Sequence, residues 1–392
     1  MANKKHSERK HAKLSASGAS RWMNCTPSAT IEEKFEDSTS VYAEEGTLAH
    51  EFGELSLQLG SGRITQGKYN WLVASLKKHE LYSPEMDVEV EKYTDYVMEQ
   101  WAEAQAKTKG ASLLLEEKVD LTEFIAEGFG TCDANIIADG TLEVIDLKYG
   151  QGVKVDAYDN PQLKLYGLGA LYAYDLSYDI KKVRLTIVQP RLNHVSSWVI
   201  SAKDLMKWGE EVVKPTAQKA FNGEGEQKAG DWCRWCKAKA RCSALAKKST
   251  EIAKHAFKDP QLLTDDQVLE VFDRIPMLKN WAKAVEEHML SEAIKGKKWP
   301  GFKLVEGRSM RKWSDEKKAI DKLSKSYKTE EYINAKIKGI GDIEKLVGKG
   351  KFVAALSDCI SIPQGKPTLV LESDKRPEFN RLQKAKDAFG ED

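Results

Sequence analysis

Two sets of residues in this sequence have the types and spacing to do chemistry. The first is Asp133, Asp146 and Lys148, which flank an Asp139-Gly140 dipeptide. Two carboxylates and an ammonium suit phosphate-ester hydrolysis at a hard divalent cation. The second is Cys233, Cys236 and Cys242, three thiols within ten residues. Cysteines this close signal a metal site, and a tetrahedral or cubane site needs a fourth ligand. Zinc ribbons usually bring a second Cys-x2-Cys pair, which this chain lacks. On the residues alone, iron–sulfur, zinc and free thiols in a helical cap all stay open.

The spacing of the first set carries a geometric argument. Asp139-Gly140 is a dipeptide preferred for the two-residue loop of a type I′ hairpin. With those residues as the loop, Ala138 pairs with Thr141, paired residue numbers sum to 279, and Asp133 falls opposite Asp146. Opposed residues share a face, with Cβ atoms about 4.5–5.5 Å apart. Like charges so placed destabilise a sheet, and a shared proton or a hard cation offsets that. Lys148, two residues past Asp146, falls on the same face. Its ammonium there can orient or deprotonate an attacking water and offset charge in the transition state. An arbitrary Asp-x-Lys on a strand would read as a surface ion pair. The register argues otherwise.

Gly130-Thr-Cys-Asp133, then Val144-Ile-Asp146-Leu-Lys148-Tyr-Gly150, then Gln162-Leu-Lys-Leu-Tyr166 resembles the PD-(D/E)XK nuclease superfamily, in its RecB-like branch. The resemblance spans roughly residues 15–245 and implies a restriction-endonuclease-like α/β core, a central mixed sheet flanked by helices. Gln162 and Tyr166, four apart and on one helical face, match the branch's Gln-x-x-x-Tyr, which implies that they orient Lys148 or contact the scissile strand. Gly46-Thr-Leu-Ala-His50 resembles the branch's Gly-Thr-x-x-His, which implies His50 as an imidazole ligand beside Asp133 and Asp146. One nitrogen and two carboxylates accept Mg²⁺ and suit Mn²⁺ somewhat better by ligand softness. Glu54, one turn beyond His50, and Glu117 on the preceding strand are candidate outer-shell or second-metal residues.

The same resemblance bears on the cysteines. In AddB-type members a distant N-terminal cysteine joins Cys-x2-Cys-x5-Cys to hold a [4Fe–4S] cluster, and Cys25 is placed for that part. This puts iron–sulfur ahead of zinc. The cluster would clamp the two ends of a nuclease domain, closing a loop whose closure entropy is substantial. Trp232 and Trp235 would shield it, Cys132 beside Asp133 reads as buried packing, and Cys359 has no evident partner.

These residues need elements to hold them. Helices are expected from about Ala43 to Leu59, Lys68 to Lys78 and Met86 to Lys107, the first opening on acidic residues that suit its dipole. Runs rich in Ile, Leu and Val read as strands at 111–121, 129–138 and 141–149. A helix from Pro161 to about Tyr174, two strands (181–191 and 194–201) and a helix from about Lys203 to Phe221 follow. This gives a nuclease domain over 1–248, closed by the cysteines, and a mainly helical, basic region over 249–392. That region holds a helix from Asp265 to about Ile294, a hairpin across Trp299–Trp313, short helices to about Leu356 and a polar tail from Pro363.

At 392 residues, 41% hydrophobic and 31% charged, the chain can build a sizeable core and is unlike a disordered one. The net charge of +1 conceals asymmetry. Residues 81–148 carry 16 acidic and 5 basic groups, whereas 295–351 carry 17 basic and 8 acidic. An acidic middle can hold cations, and a basic stretch with Trp299, Phe302, Trp313, Tyr327 and Tyr332 interspersed can track a DNA backbone or serve as a helical cap. No apolar run would span a bilayer or form a signal peptide, so a cytosolic protein is expected, in a bacterial host cell if phage-encoded. The whole chain also resembles a phage-associated group of RecB-like nucleases.

Together these imply a metal-dependent DNA nuclease, an exonuclease acting at single strands or duplex ends. In phage recombination or replication it would work beside a single-strand-binding or annealing protein. The alternatives are a non-catalytic iron–sulfur DNA-binding or assembly factor, which should have lost one of Asp133, Asp146 or Lys148, and a zinc-stapled RNA nuclease.

Overall fold

The computed structural model describes residues 12–36, 40–251, 263–307, 312–334, 336–361, 367–374 and 376–379. The chain forms two compact units that part between Trp281 and Ala282. The parting lies beyond the boundary expected near 248 because segment 243–250 belongs to the first unit, where Leu245 is buried. No described helix is long and apolar enough to cross a membrane.

The first unit opens with two short helices, α1 (Ala19–Asn24) and α2 (Ser28–Glu32). Then comes α3 (Val41–Gly60), whose start is set by Ser40: its Oγ accepts the Ala43 N–H at 3.2 Å, and Glu44 sits in the first turn. Next are α4 (Gln66–Leu76) and α5 (Pro84–Lys107), which begins with proline where the missing N–H costs nothing. The sheet follows as β1 (Ser112–Asp120), β2 (Phe129–Ala138) and β3 (Thr141–Leu147). Helix α6 (Pro161–Tyr178) leads to β4 (Lys182–Gln189) and β5 (His194–Ser201). The single helix expected after β5 is α7 (Ala202–Trp208), a π-helical turn and α8 (Lys214–Asn222), and α9 (Ser243–Thr250) follows the cysteines.

The sheet is mixed, in the order β1-β2-β3-β4-β5, with β3 and β4 parallel and the other pairs antiparallel. A parallel pair needs a crossover, and α6 is that crossover. Both faces are covered. Leu142 and Val144 pack with Leu163, Leu168 and Val183 on the α6 side, while Ile145 and Leu147 pack with Leu57, Tyr93 and Val97 from α3 and α5. Burial on both faces explains why β3 and β4 read as continuous apolar runs.

The β2–β3 register is the one that the Asp139-Gly140 loop dictates, from Ala138↔Thr141 to Ala134↔Ile145. The turn type differs. Gly140 takes φ +75° but Asp139 does not take positive φ, whereas type I′ needs both. Gly140 instead donates its N–H to the Tyr178 carbonyl at 3.1 Å and accepts from the Lys181 N–H at 3.0 Å, which docks the turn on the end of α6.

The second unit begins within α10 (Asp265–Ile294). It continues as β6 (Phe302–Glu306), β7 (Lys312–Trp313), α11 (Glu316–Leu323), α12 (Thr329–Tyr332), β8 (Ile333–Asn334) and β9 (Lys336–Ile337). It ends with α13 (Ile340–Val347), α14 (Lys349–Leu356), β10 (Ile360–Ser361) and β11 (Pro367–Leu371). The expected hairpin across Trp299–Trp313 is not formed. β6 pairs with β11 and β7 with β10, so part of the expected polar tail is a strand; residues 308–311 of the expected hairpin lie outside the described residues. Tyr332, Ile343, Phe352 and Leu356 give this unit its own core.

One glycine fixes how α6 seats on the sheet. A Cβ at Gly130 would lie 2.7 Å from Cε1 of Tyr166, so the bare backbone of β2 admits that ring. Gly130→Ala should cost about 1–3 kcal/mol in urea unfolding and much less in a Tyr166→Ala background. Equal costs in the two backgrounds would contradict this packing account.

Candidate active site

Asp133, near the middle of β2, is where the sheet opens. Ala134 and Ile136 face the α3–α5 core while Cys132 faces the α6 core, so the strand's alternation shifts by one across Asp133. The ladder with β3 ends at Ala134↔Ile145, one pair short of Asp133 and Asp146. Asp133 closes it with its side chain, Oδ2 accepting the Leu147 N–H at 2.7 Å. The other oxygen, Oδ1, meets His50 Nδ1 at 3.0 Å. His50 reaches it from α3, and the bare Gly53 next to it in the helix admits the Tyr93 ring, where a Cβ would come within 3.2 Å.

Asp146 heads a second chain of contacts. Its Oδ2 lies 2.9 Å from Lys148 Nζ, an ion pair off the line of a well-directed hydrogen bond, and its Oδ1 accepts from Gln162 Nε2 at 3.1 Å. Gln162 Oε1 accepts from Lys148 Nζ at 3.1 Å, and Gln162 Nε2 also lies 3.2 Å from the Tyr166 hydroxyl. One amide thus holds the carboxylate, the ammonium and the phenol. Its place comes from Asn160-Pro161. The Asn160 Oδ1 accepts the N–H groups of Gln162 and Leu163, which starts α6 so that Gln162 and Tyr166 face the sheet one turn apart.

The cluster is recessed rather than sealed. Asp146 and Asp133 side chains keep 5% and 13% of their exposure, while His50 and Lys148 keep 32% and 31% and form the open rim. Burial and mutual repulsion set the charges. Burial pulls the His50 imidazole down, but the charge and hydrogen bond of Asp133 outweigh it and lift the pKa to about 9. Burial would raise Asp133, but His50, the Leu147 N–H and Lys148 hold it below its ordinary value. Asp146 is pushed up by burial, with the Asp133 charge adding and Lys148 opposing. Burial pulls the Lys148 ammonium down, and Asp146 more than restores it.

A third carboxylate joins this group. Glu116, pushed up to about 7 by burial and by Asp133, stands across from Asp133 on β1. One donor atom each from His50, Glu116 and Asp133 lie within 4.8 Å of one another. The expected acid on this strand, Glu117, points elsewhere, accepting from the Tyr174 hydroxyl at 3.0 Å on α6. Residues 121–128 join β1 to β2 without a tight turn, so the sequence contains no register signal to choose between the two acids. Glu54 is close enough for its charge to act on Glu116, and it accepts from Gln58 Nε2 at 2.7 Å.

Four of the cysteines line a cavity elsewhere in the first unit. Cys25, at the end of α1, and Cys233, Cys236 and Cys242 all line one cavity of about 290 Å³. Buried Glu32 ties the two chain segments, accepting the Lys237 N–H at 2.8 Å and pairing with Arg21 at 2.6 Å. No three of the sulfurs, among the described residues, lie within 4.8 Å of one another. A single tetrahedral zinc, with Zn–S near 2.3 Å, holds its sulfurs about 3.8 Å apart. As they stand, no three of the described sulfurs meet that spacing. Burial pushes the Cys236 thiol up to about 12 and raises Cys233 too, so loading a metal there must release protons. Trp232 lines the cavity, but Trp235, 73% exposed, does not cover it as expected. Cys132 and Cys359 are buried.

A family model described as "Protein of unknown function (DUF2800)" matches residues 11–377. The chain belongs to that family. Among solved structures, this DUF2800 chain is similar to the one titled "Crystal structure of SSO0001", at 15% identity over 49% of this chain and 85% of that one, with a TM-score of 0.22.

Proposed function

We propose that this protein is a metal-dependent DNA nuclease built on a PD-(D/E)XK core, hydrolysing phosphodiester bonds at DNA ends. The observation that carries the reading is the pair of contact sets His50–Asp133 and Asp146–Lys148–Gln162–Tyr166, from one helix, two adjacent strands and the crossover helix. A merely structural ion pair would need neither the second carboxylate nor an amide spanning three partners.

Asp133 and Asp146, with His50 on the rim, would hold Mg²⁺ or Mn²⁺. The ion, when bound, supplies Lewis-acid activation of phosphate and water and neutralises developing charge. Lys148 Nζ, already fixed by Asp146 and Gln162, is placed to donate to the attacking water or to a phosphate oxygen. Gln162 holds that ammonium at one end and the Tyr166 phenol at the other, which orients both toward one strand of DNA. In the cysteine cavity Arg21, Lys34, Lys228, Lys239 and Arg241 supply positive charge around four thiols, a setting for a [4Fe–4S] cluster, with zinc the lesser fit. The site would pin α1 and α2 to the chain's return at 233–242.

Anaerobically purified protein with Mn²⁺ should degrade end-labelled linear DNA and spare circular DNA. Asp146→Ala should abolish degradation, and Lys148→Ala should slow it by about 10²–10³-fold. DNA binding without cleavage by the wild type under either Mn²⁺ or Mg²⁺ would replace the enzyme by a DNA-binding scaffold. Iron and acid-labile sulfide should be present at about four each per chain by the cubane stoichiometry. Cys25→Ser should lose them and Cys359→Ser should keep them. Equal iron in the two variants would remove Cys25 from the ligand set.

A further inference from the structure

The connection from β3 to α6, residues 148–160, joins two groups of the candidate site, Lys148 and Gln162, and the ends of β4 and β5 brace it. Its start is fixed by the Lys148 N–H, which donates to the Val188 carbonyl at 2.9 Å. Tyr149, 3% exposed, lies 4.8 Å from the Arg191 guanidinium, which also pairs with Glu45 at 3.1 Å and Glu85 at 3.5 Å. Gln189, buried at the end of β4, donates from Nε2 to the Val153 carbonyl at 3.0 Å. Its Oε1 accepts the Val155 N–H at 2.7 Å. His194 Nε2 meets the Val155 carbonyl at 3.1 Å, and Ser196 Oγ accepts the Ala157 N–H at 3.0 Å. Ordering each residue of a surface connection costs entropy, and loops held by a rigid scaffold are where binding groups concentrate.

The brace leaves residues 150–154 and Tyr158 exposed. The acids that follow are already occupied. Asp156 accepts from Ser196 Oγ at 2.8 Å and from the Tyr158 N–H at 2.9 Å, and Asp159 pairs with Lys164 at 2.6 Å. Lys154, by contrast, has no ion pair or hydrogen bond among the described residues. Tyr158 is 70% exposed, and its ring rests edge-to-face on Trp198 of β5 with centroids 5.4 Å apart. That contact steadies the ring and leaves most of it open.

An unpaired ammonium and a steadied, open aromatic on one braced loop suit single-stranded nucleic acid. The cation meets a backbone phosphate and the ring stacks on a base. A duplex offers the ammonium its phosphates but keeps its base faces stacked on one another. The ring therefore finds a partner only where a strand is unpaired.

We propose that Lys154 and Tyr158 form a contact surface for a single strand of DNA, the ammonium on a phosphate and the phenol ring on a base. The nuclease reading enters only in making that strand the substrate; the binding itself needs no catalysis.

The test is fluorescence anisotropy of a labelled oligothymidylate, and of a blunt duplex, with the full-length Asp146→Ala chain, purified anaerobically, across a series of KCl concentrations. Adding Tyr158→Ala should weaken oligothymidylate binding about 5–100-fold with a far smaller loss on the duplex, and Tyr158→Phe should bind like the parent. Adding Lys154→Ala should weaken binding and make the slope of log affinity against log salt shallower by about 0.7 on the single strand. Lys182, exposed at the opposite end of β4, is the control, and Lys182→Ala should leave that slope as it was. No binding by the parent overturns the proposal. So does Tyr158→Ala with unchanged single-strand affinity or with equal losses on both DNAs, and so does a Lys154→Ala slope that moves no more than that of Lys182→Ala. The two readings fail separately. Tyrosine-dependent binding by a chain whose wild type cuts nothing sinks only the nuclease, whereas a wild type that cuts while Tyr158→Ala binds as tightly as its parent sinks only this contact surface.

Discussion

Asp133 and Asp146 stand on adjacent strands, on a floor that keeps little solvent, and their repulsion has to be offset from outside the sheet. Much of the first unit supplies that compensation. Helix α3 brings His50 to Asp133, and the backbone of β3 adds the Leu147 N–H. Two residues past Asp146, Lys148 brings its ammonium to the second carboxylate, and α6 holds the pair with Gln162. Each carboxylate therefore has its own cation from the chain. A natural protein that pays stability to keep such groups together does so for a ligand or a reaction more often than for the fold.

The supporting architecture follows from that need. Three helices must approach one end of a mixed sheet, and two of the closest approaches occur at glycine: Gly130 under the Tyr166 ring and Gly53 over the Tyr93 ring. A helix-interior glycine such as Gly53 costs roughly 1 kcal/mol relative to alanine, which the close packing of Tyr93 offsets. The strained Glu116 belongs to the same pattern. Its backbone departs from strand geometry at the point where β2 shifts its alternation beside Asp133.

What was legible in the sequence was local. The Asp139-Gly140 loop fixes the β2–β3 register because a two-residue turn leaves no freedom, and Asn160-Pro161 marks the start of α6 for a similar reason. The strand β5 and the helix Asp265–Ile294 follow from periodicity, whereas His50, Gln162 and Tyr166 were singled out by the resemblance of their motifs. The rest was non-local. Glu116 rather than Glu117 faces Asp133 because of a kink that no residue type announces, and an eight-residue connection hides the register. The pairing of Phe302–Glu306 with Pro367–Leu371 spans about sixty residues, so adjacent runs at 302–313 look like a hairpin when each belongs to a distant partner. Trp235 is adjacent to Cys236 in sequence but turns outward, since a short 3₁₀ turn spreads successive side chains around its axis.

The most direct test of this account is anomalous diffraction from crystals of the full chain grown with Mn²⁺. The account predicts manganese density within bonding distance of Asp133 and Asp146, with His50 at its edge. Manganese absent from this cleft in well-ordered crystals, with Asp146 still held only by Lys148 and Gln162, would contradict it and leave the carboxylates as a structural ion-pair network.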